Sequence, residues 1–150
     1  MAKVLVLYHS QEYGNTKRMA EAVADGVRSV GADVSLINTN EERPDVEAYR
    51  RFDAVAVGSP DYFGYVAGAL KGFLDAWYIA CKGDTTGLKG KPYGLFYSHG
   101  GGGAVRGPLQ ELFGHLGSQV GETIESVGRP SGAVLEACRG LGRQLAERVA

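Results

Sequence analysis

Short apolar, β-branched runs alternate with segments of helical periodicity along this chain. That alternation restricts the fold more than any single motif does. Lys3–Tyr8 (KVLVLY) is apolar almost throughout, as a parallel strand buried on both faces must be. From Thr16 to Val30, the residues Met19, Val23, Val27 and Val30 mark one face of a helix, which Gly31 ends. Asp33–Ile37 and Asp53–Val57 read as the second and third strands, and Pro44-Asp45 between them can open a short helix. Val66, Ala69, Leu70, Phe73, Leu74 and Trp77 form the next helical stripe, which places Trp77 in the core or at a subunit contact. The segment CKGDTTGLKGK reads as a surface loop before a fourth strand, Tyr93–Tyr97. Leu109, Leu112, Phe113 and Leu116 make another helix face, Glu122–Val127 a fifth strand, and a last helix opens near Ser131. Strands alternating with helices specify βαβ units and a parallel sheet. Right-handed crossovers then favour a three-layer α/β sandwich, with five parallel strands in the order 2-1-3-4-5 and helices on both faces.

The chain of 150 residues fits one domain, 1–150, with a core of its own. A formal net charge of −1 gives no electrostatic reason to expect nucleic acid or a membrane surface as partner. The apolar N-terminal run is too short for a span or a signal peptide, so no membrane insertion and a cytoplasmic location are expected. Cys81 and Cys138 lie far apart and read as reduced structural thiols. His9, His99 and His115 show no metal-ligand spacing. Glycine is over-represented at 23 residues, and many of them fall just after the apolar runs. There the chain must turn tightly or approach a ligand closely.

In an open parallel sheet, ligands bind outside the carboxyl ends of the strands. Three such ends here share a pattern: SQEYGNT (Ser10–Thr16), SPDYFG (Ser59–Gly64) and SHGGGG (Ser98–Gly103). In the order 2-1-3-4-5 these loops are neighbours and line one rim. The first enters a helix N-terminus, where free N–H groups and the dipole favour an anion. Ser10, Asn15 and Thr16 add donors and Gly14 allows close approach, although Thr16 can equally be a plain N-cap. The spacing is neither GxxxxGK[ST] nor GxGxxG. Neutral donors without a committed lysine suit a phosphate monoester, Tyr62 and Phe63 suit stacking on a flat ring, and Gly100–Gly103 offer bare backbone to a ring edge. Together they describe flavin mononucleotide (FMN).

With all three loops in view, the chain resembles the flavodoxin-like family over nearly its whole length. AVAVGSPDYFGYVAGALKGFLD and FYSHGGGG are similar to the corresponding segments of the tryptophan repressor-binding-protein type NAD(P)H:quinone oxidoreductases. The resemblance implies a flavodoxin-like three-layer sandwich with bound FMN. It implies phosphate contacts at Ser10, Tyr13, Gly14, Asn15 and Thr16, with Gln11 and Glu12 contributing backbone more than side chain. Ribityl and ring contacts are implied at Ser59, Pro60, Asp61, Tyr62, Phe63 and Gly64, and contacts to the pyrimidine edge at Ser98, His99, Gly100, Gly101 and Gly102. No catalytic acid or base and no metal ligand is implied.

Three departures stand out. Tyr13 occupies the place before Gly14 where flavodoxins carry a hydroxyl residue. The additional C-terminal segments of the quinone reductases have no counterpart, so their tetramer and nicotinamide site are not carried over, although a homo-oligomer remains compatible. The chain is also nearly neutral where flavodoxins are acidic, and the loop Ser98–Gly107 contains no acid, only His99 and Arg106. That loop is therefore expected to favour a reduced, anionic flavin. Two functions follow: an electron carrier serving a redox partner protein, or a reductase taking hydride from NAD(P)H and reducing a quinone. A flavin-free scaffold with the same fold is the third alternative.

Overall fold

A computed structural model describes all residues 1–150. Its elements are β1 (Lys3–Tyr8), α1 (Asn15–Ser29), β2 (Asp33–Asn38), α2 (Val46–Tyr49), β3 (Ala54–Pro60), α3 (Gly68–Gly83), β4 (Lys91–His99), α4 (Arg106–Phe113), β5 (Gly117–Gln119), β6 (Ile124–Val127) and α5 (Gly132–Arg148). A 3₁₀ turn, Gly114–Leu116, links α4 to β5. All strand pairings are parallel, in the order β2-β1-β3-β4-β5, with β6 also paired to β4. The expected fifth strand is thus two short pieces. Gly117–Gln119 pairs with the start of β4 and Ile124–Val127 with its end, and Gly121 (φ +69°) turns the chain between them.

Alternate residues of each central strand feed two cores. Leu5, Leu7, Val55, Val57 and Leu95 pack under α3 and α4 with Phe73, Trp77, Leu109 and Phe113. Val4, Val6, Ala54, Ala56 and Phe96 pack under α1 and α5 with Met19, Val23, Cys138 and Leu145. Trp77 is buried as expected. The adjoining segment is not simply a surface loop: Cys81–Gly83 complete α3, Leu88 is fully buried, and its carbonyl accepts from the Trp77 indole at 3.1 Å. Asp45 opens α2 as a true cap, accepting from the Glu47 N–H at 2.9 Å. Ser131 does the same for α5, accepting from the Val134 N–H.

Two glycines set the spacing of α1 and α5. A methyl group on Gly26 would overlap the Arg139 carbonyl, and one on Gly142 would overlap the Val23 carbonyl. Alanine would gain up to about 1 kcal/mol of helix propensity at such a position. Backbone overlap outweighs that gain, because the obstacle cannot rotate away. Gly142→Ala is therefore expected to lower the unfolding free energy by about 1–3 kcal/mol in urea titrations, and unchanged stability would contradict the close approach.

At the opposite end of the sheet from the loops, the Lys91 ammonium donates to the carbonyls of Tyr49 and Phe52 and lies 4.0 Å from the Tyr49 ring centroid. Burial pushes it down to about 8. The unfolded chain, with an ordinary lysine near 10.4, then binds more protons through that window, so stability rises with pH there. The difference in unfolding free energy, wild type minus Lys91→Met, is expected to increase from about pH 7 to about pH 10. A flat difference would show that the lysine titrates normally.

Candidate functional site

The register of β1, β3 and β4 brings the three loops together: Tyr8 pairs with Gly58, and Pro60 with Ser98. In the first loop, Gly14 takes φ +75° at the N-cap of α1, and no side chain caps the helix. The first N–H groups of α1 therefore remain free for an anion. Arg18 folds back on the loop, donating to the Tyr13 carbonyl at 2.8 Å and to Asn15 Oδ1 at 3.2 Å. It braces the turn and adds positive charge beside it. Thr16 is not a cap. Its side chain is buried, with Oγ1 2.8 Å from the Ser98 hydroxyl, joining the first loop to the third.

Asn38, at the end of β2, clamps Ser10 from below: Oδ1 accepts from its N–H and Nδ2 donates to its carbonyl, each at 3.0 Å. Sequence reasoning did not single out Asn38; its signal was a buried amide closing a strand. His9 is also buried at this wall, with Nδ1 2.8 Å from Thr39 Oγ1 and Nε2 3.2 Å from Gln11 Oε1. The Tyr62 hydroxyl donates to the same Gln11 oxygen at 3.4 Å, and the Tyr62 ring meets His9 edge-on at 5.8 Å. Gln11 thus ties its side chain into the wall through Oε1.

The second loop is a tight hairpin. Tyr62 and Tyr65 exchange both main-chain hydrogen bonds at 3.0 Å around Phe63 (φ +58°) and Gly64 (φ +72°). Positive φ at a bulky residue is costly, and here it projects the Phe63 ring fully into solvent. The Asp61 carboxylate holds two loops at once, accepting from the N–H of Gly64 at 2.7 Å and of Val105 at 3.3 Å. Ser59 is fully buried; its hydroxyl donates to the Pro60 carbonyl and accepts from the Ala67 N–H, supporting the loop from behind.

In the third loop, no atom stands within 4 Å of where a methyl group would project from Gly100, Gly101 or Gly102. His99 is drawn inward, with Nε2 2.9 Å from Glu125 Oε2 and Nδ1 3.1 Å from the Gly101 carbonyl. The acid-free loop expected from the sequence thus acquires a carboxylate from β6. The Tyr97 hydroxyl also donates to Glu125 at 2.8 Å, and the bonds from Tyr97 and His99 hold that carboxyl below its usual range. Burial raises the Tyr97 hydroxyl, Glu125 adds to the rise, and Arg106 opposes it.

Together the loops enclose a cleft of about 260 Å³ lined by Ser10, Gln11, Tyr13, Gly14, Asn15, Thr16, Pro60, Asp61, Tyr62, Ser98, His99 and Gly100, with Glu12 and Gly128. Ser59, Phe63, Gly64, Gly101 and Gly102 stand beside it rather than on its wall. Gly128 was not anticipated as a lining residue, whereas Glu12 belongs to the first loop already singled out. The structure contains no cluster of three His, Cys, Asp or Glu suited to a metal ion. Replacing Thr16 by Val should leave the Ser98 hydroxyl buried without its partner and destabilise the protein by about 1–3 kcal/mol in thermal or urea unfolding. A neutral effect would remove this link between the loops.

The family profile of NADPH-dependent FMN reductases matches residues 2–128. A flavodoxin of Aquifex aeolicus is 38% identical, over all of this chain and 88% of that protein. An NAD(P)H dehydrogenase (quinone) of Cupriavidus metallidurans is 36% identical over 67% of this chain, but the match spans only 60% of its own length. Among solved structures, a flavodoxin from the domain Archaea superposes with a TM-score of 0.81 at 28% identity, covering 98% of both chains. The chain belongs to the NADPH-dependent FMN reductase family and is a flavodoxin-like, FMN-binding redox protein.

Proposed function

We propose that FMN sits in the three-loop cleft with its phosphate at the start of α1, and that the protein passes electrons to and from a redox partner protein through it. The observation that carries this reading is the uncapped N-terminus of α1, with Gly14 in the left-handed conformation, opening into the same cleft as the bare glycine backbone of the third loop. Bound FMN would supply the redox chemistry, and the protein would hold and tune it. The N–H groups after Gly14, with Ser10, Asn15 and Thr16, would take the phosphate. Tyr62 would flank the ring, and Gly100–Gly102 would let its pyrimidine edge approach main-chain donors. Tyr13, on the cleft wall yet 76% exposed, and Phe63 beside it offer apolar contact to a docking partner. The match to flavodoxins along the whole of this sequence favours the carrier.

The second reading, two-electron reduction of a quinone by NAD(P)H, draws support from the reductase profile and the quinone dehydrogenase relatives. No helix is long and apolar enough to cross a membrane, and both cysteines are free thiols, which suits action in a reducing cytoplasm.

Purified protein should bind FMN one-to-one; failure to take up added FMN would sink both readings. Replacing Asn15 and Thr16 together by Ala should weaken FMN binding about 10–100-fold, the range for hydrogen bonds to a charged group. Unchanged affinity would place the phosphate elsewhere. Mixing the loaded protein with NADH or NADPH and a quinone separates the roles. Oxidation no faster than with free FMN is expected of a carrier, and sustained turnover would establish the reductase.

A further inference from the structure

Glu125 belongs to β6 and lies outside all three loops, yet its carboxylate reaches the base of the third. Oε2 accepts from the Tyr97 hydroxyl at 2.8 Å and lies 2.9 Å from His99 Nε2. The other ring nitrogen, Nδ1, lies 3.1 Å from the Gly101 carbonyl oxygen. A carbonyl and an ionised carboxylate can only accept. Both contacts are therefore hydrogen bonds together only when both ring nitrogens carry hydrogen. The imidazole also stacks on the Tyr97 ring, at 5.9 Å and 21° between planes, and its side chain is only 7% exposed. Gly103 (φ +66°) closes over the pair: a methyl group there would sit 3.0 Å from both Glu125 Oε2 and His99 Nε2. The glycine segment is thus laid across the Glu125–His99 pair and tied to it at Gly101.

We propose that Glu125 is a positioning residue for the flavin cleft: acting through His99, it fixes the loop Gly100–Gly103 in the shape that admits the cofactor's ring edge. The inference rests on the FMN reading above and deepens it, since Glu125 itself does not line the cleft. Besides His99, the groups facing the carboxylate are Tyr97 from β4 and Arg106 from α4. Glu125→Ala removes the acceptor at Nε2 and leaves the ring held only at Gly101. In Glu125→Gln, the amide can donate to Nε2 of a ring protonated at Nδ1 alone, and that Nδ1–H still reaches Gly101. The strap then survives without charge.

The test is FMN titration by fluorescence quenching for wild type, Glu125→Ala and Glu125→Gln. At neutral pH the Ala variant should bind about tenfold more weakly and the Gln variant within about threefold of wild type. Wild-type affinity in the Ala variant, or a Gln variant as weak as the Ala variant, would overturn the proposal. Nitrogen NMR of the cofactor-free protein gives a readout independent of FMN: two ring N–H groups on His99 in the wild type and one in the Gln variant. One N–H in the wild type would overturn the strap. Lack of FMN uptake by the wild type would instead sink the cofactor reading, and the spectrum would still decide the strap.

Discussion

Everything at the site depends on the parallel register of β1, β3 and β4. Parallel strands deliver all their carboxyl ends to one edge of the sheet, and the helices that follow start there with their N–H groups pointing outward. Pro60 opposite Ser98, and Tyr8 opposite Gly58, place the three loops at one level. The buried contact between Thr16 and Ser98, 82 residues apart in the chain, then locks the first loop to the third. Asp61 locks the second to the third through the Gly64 and Val105 N–H groups. The cleft is a property of the sheet before it is a property of any loop.

Within that frame, many of the polar side chains near the cleft hold backbone rather than face it. Asn38 holds Ser10, Ser59 holds Ala67 and Asp61 holds two loops, while Glu125 holds the His99 side chain. What remains turned toward a ligand is largely main chain: the uncapped start of α1 and the glycine backbone after His99. Fixed N–H dipoles would take a phosphate and a ring edge without reorganising on binding, which lowers the ordering cost of holding a cofactor. Phe63 is the exception in the opposite sense. The strained turn spends conformational energy to keep an aromatic ring in water beside the cleft, where a partner surface would cover it.

The order of strands and the three loops were legible in the sequence because both depend on local pattern. Apolar β-branched runs announce buried parallel strands, and Gly after a strand announces a turn near a ligand. The missed features depend on contacts between distant segments. Thr16 carries the residue type of an N-cap, and only the fold shows its hydroxyl buried against Ser98. The Ser98–Gly107 loop holds no acid, yet Glu125 arrives from a strand that pairs beside it. The fifth strand read as one segment because Glu122–Val127 carries strand-like residues, whereas Gly121 breaks the pairing and shifts part of it to Gly117–Gln119. Leu88 looked like loop because glycines and lysines surround it, but Trp77 needs its carbonyl as a partner.

The central claim is that the start of α1 recognises the phosphate of FMN. Comparing FMN with riboflavin, which has the same ring and ribityl chain but no phosphate, tests it most directly. Several charge-assisted hydrogen bonds of about 1.5–3 kcal/mol each predict that FMN binds at least about 100-fold more tightly. Equal affinity for the two flavins, measured by calorimetry or fluorescence quenching, would contradict the account.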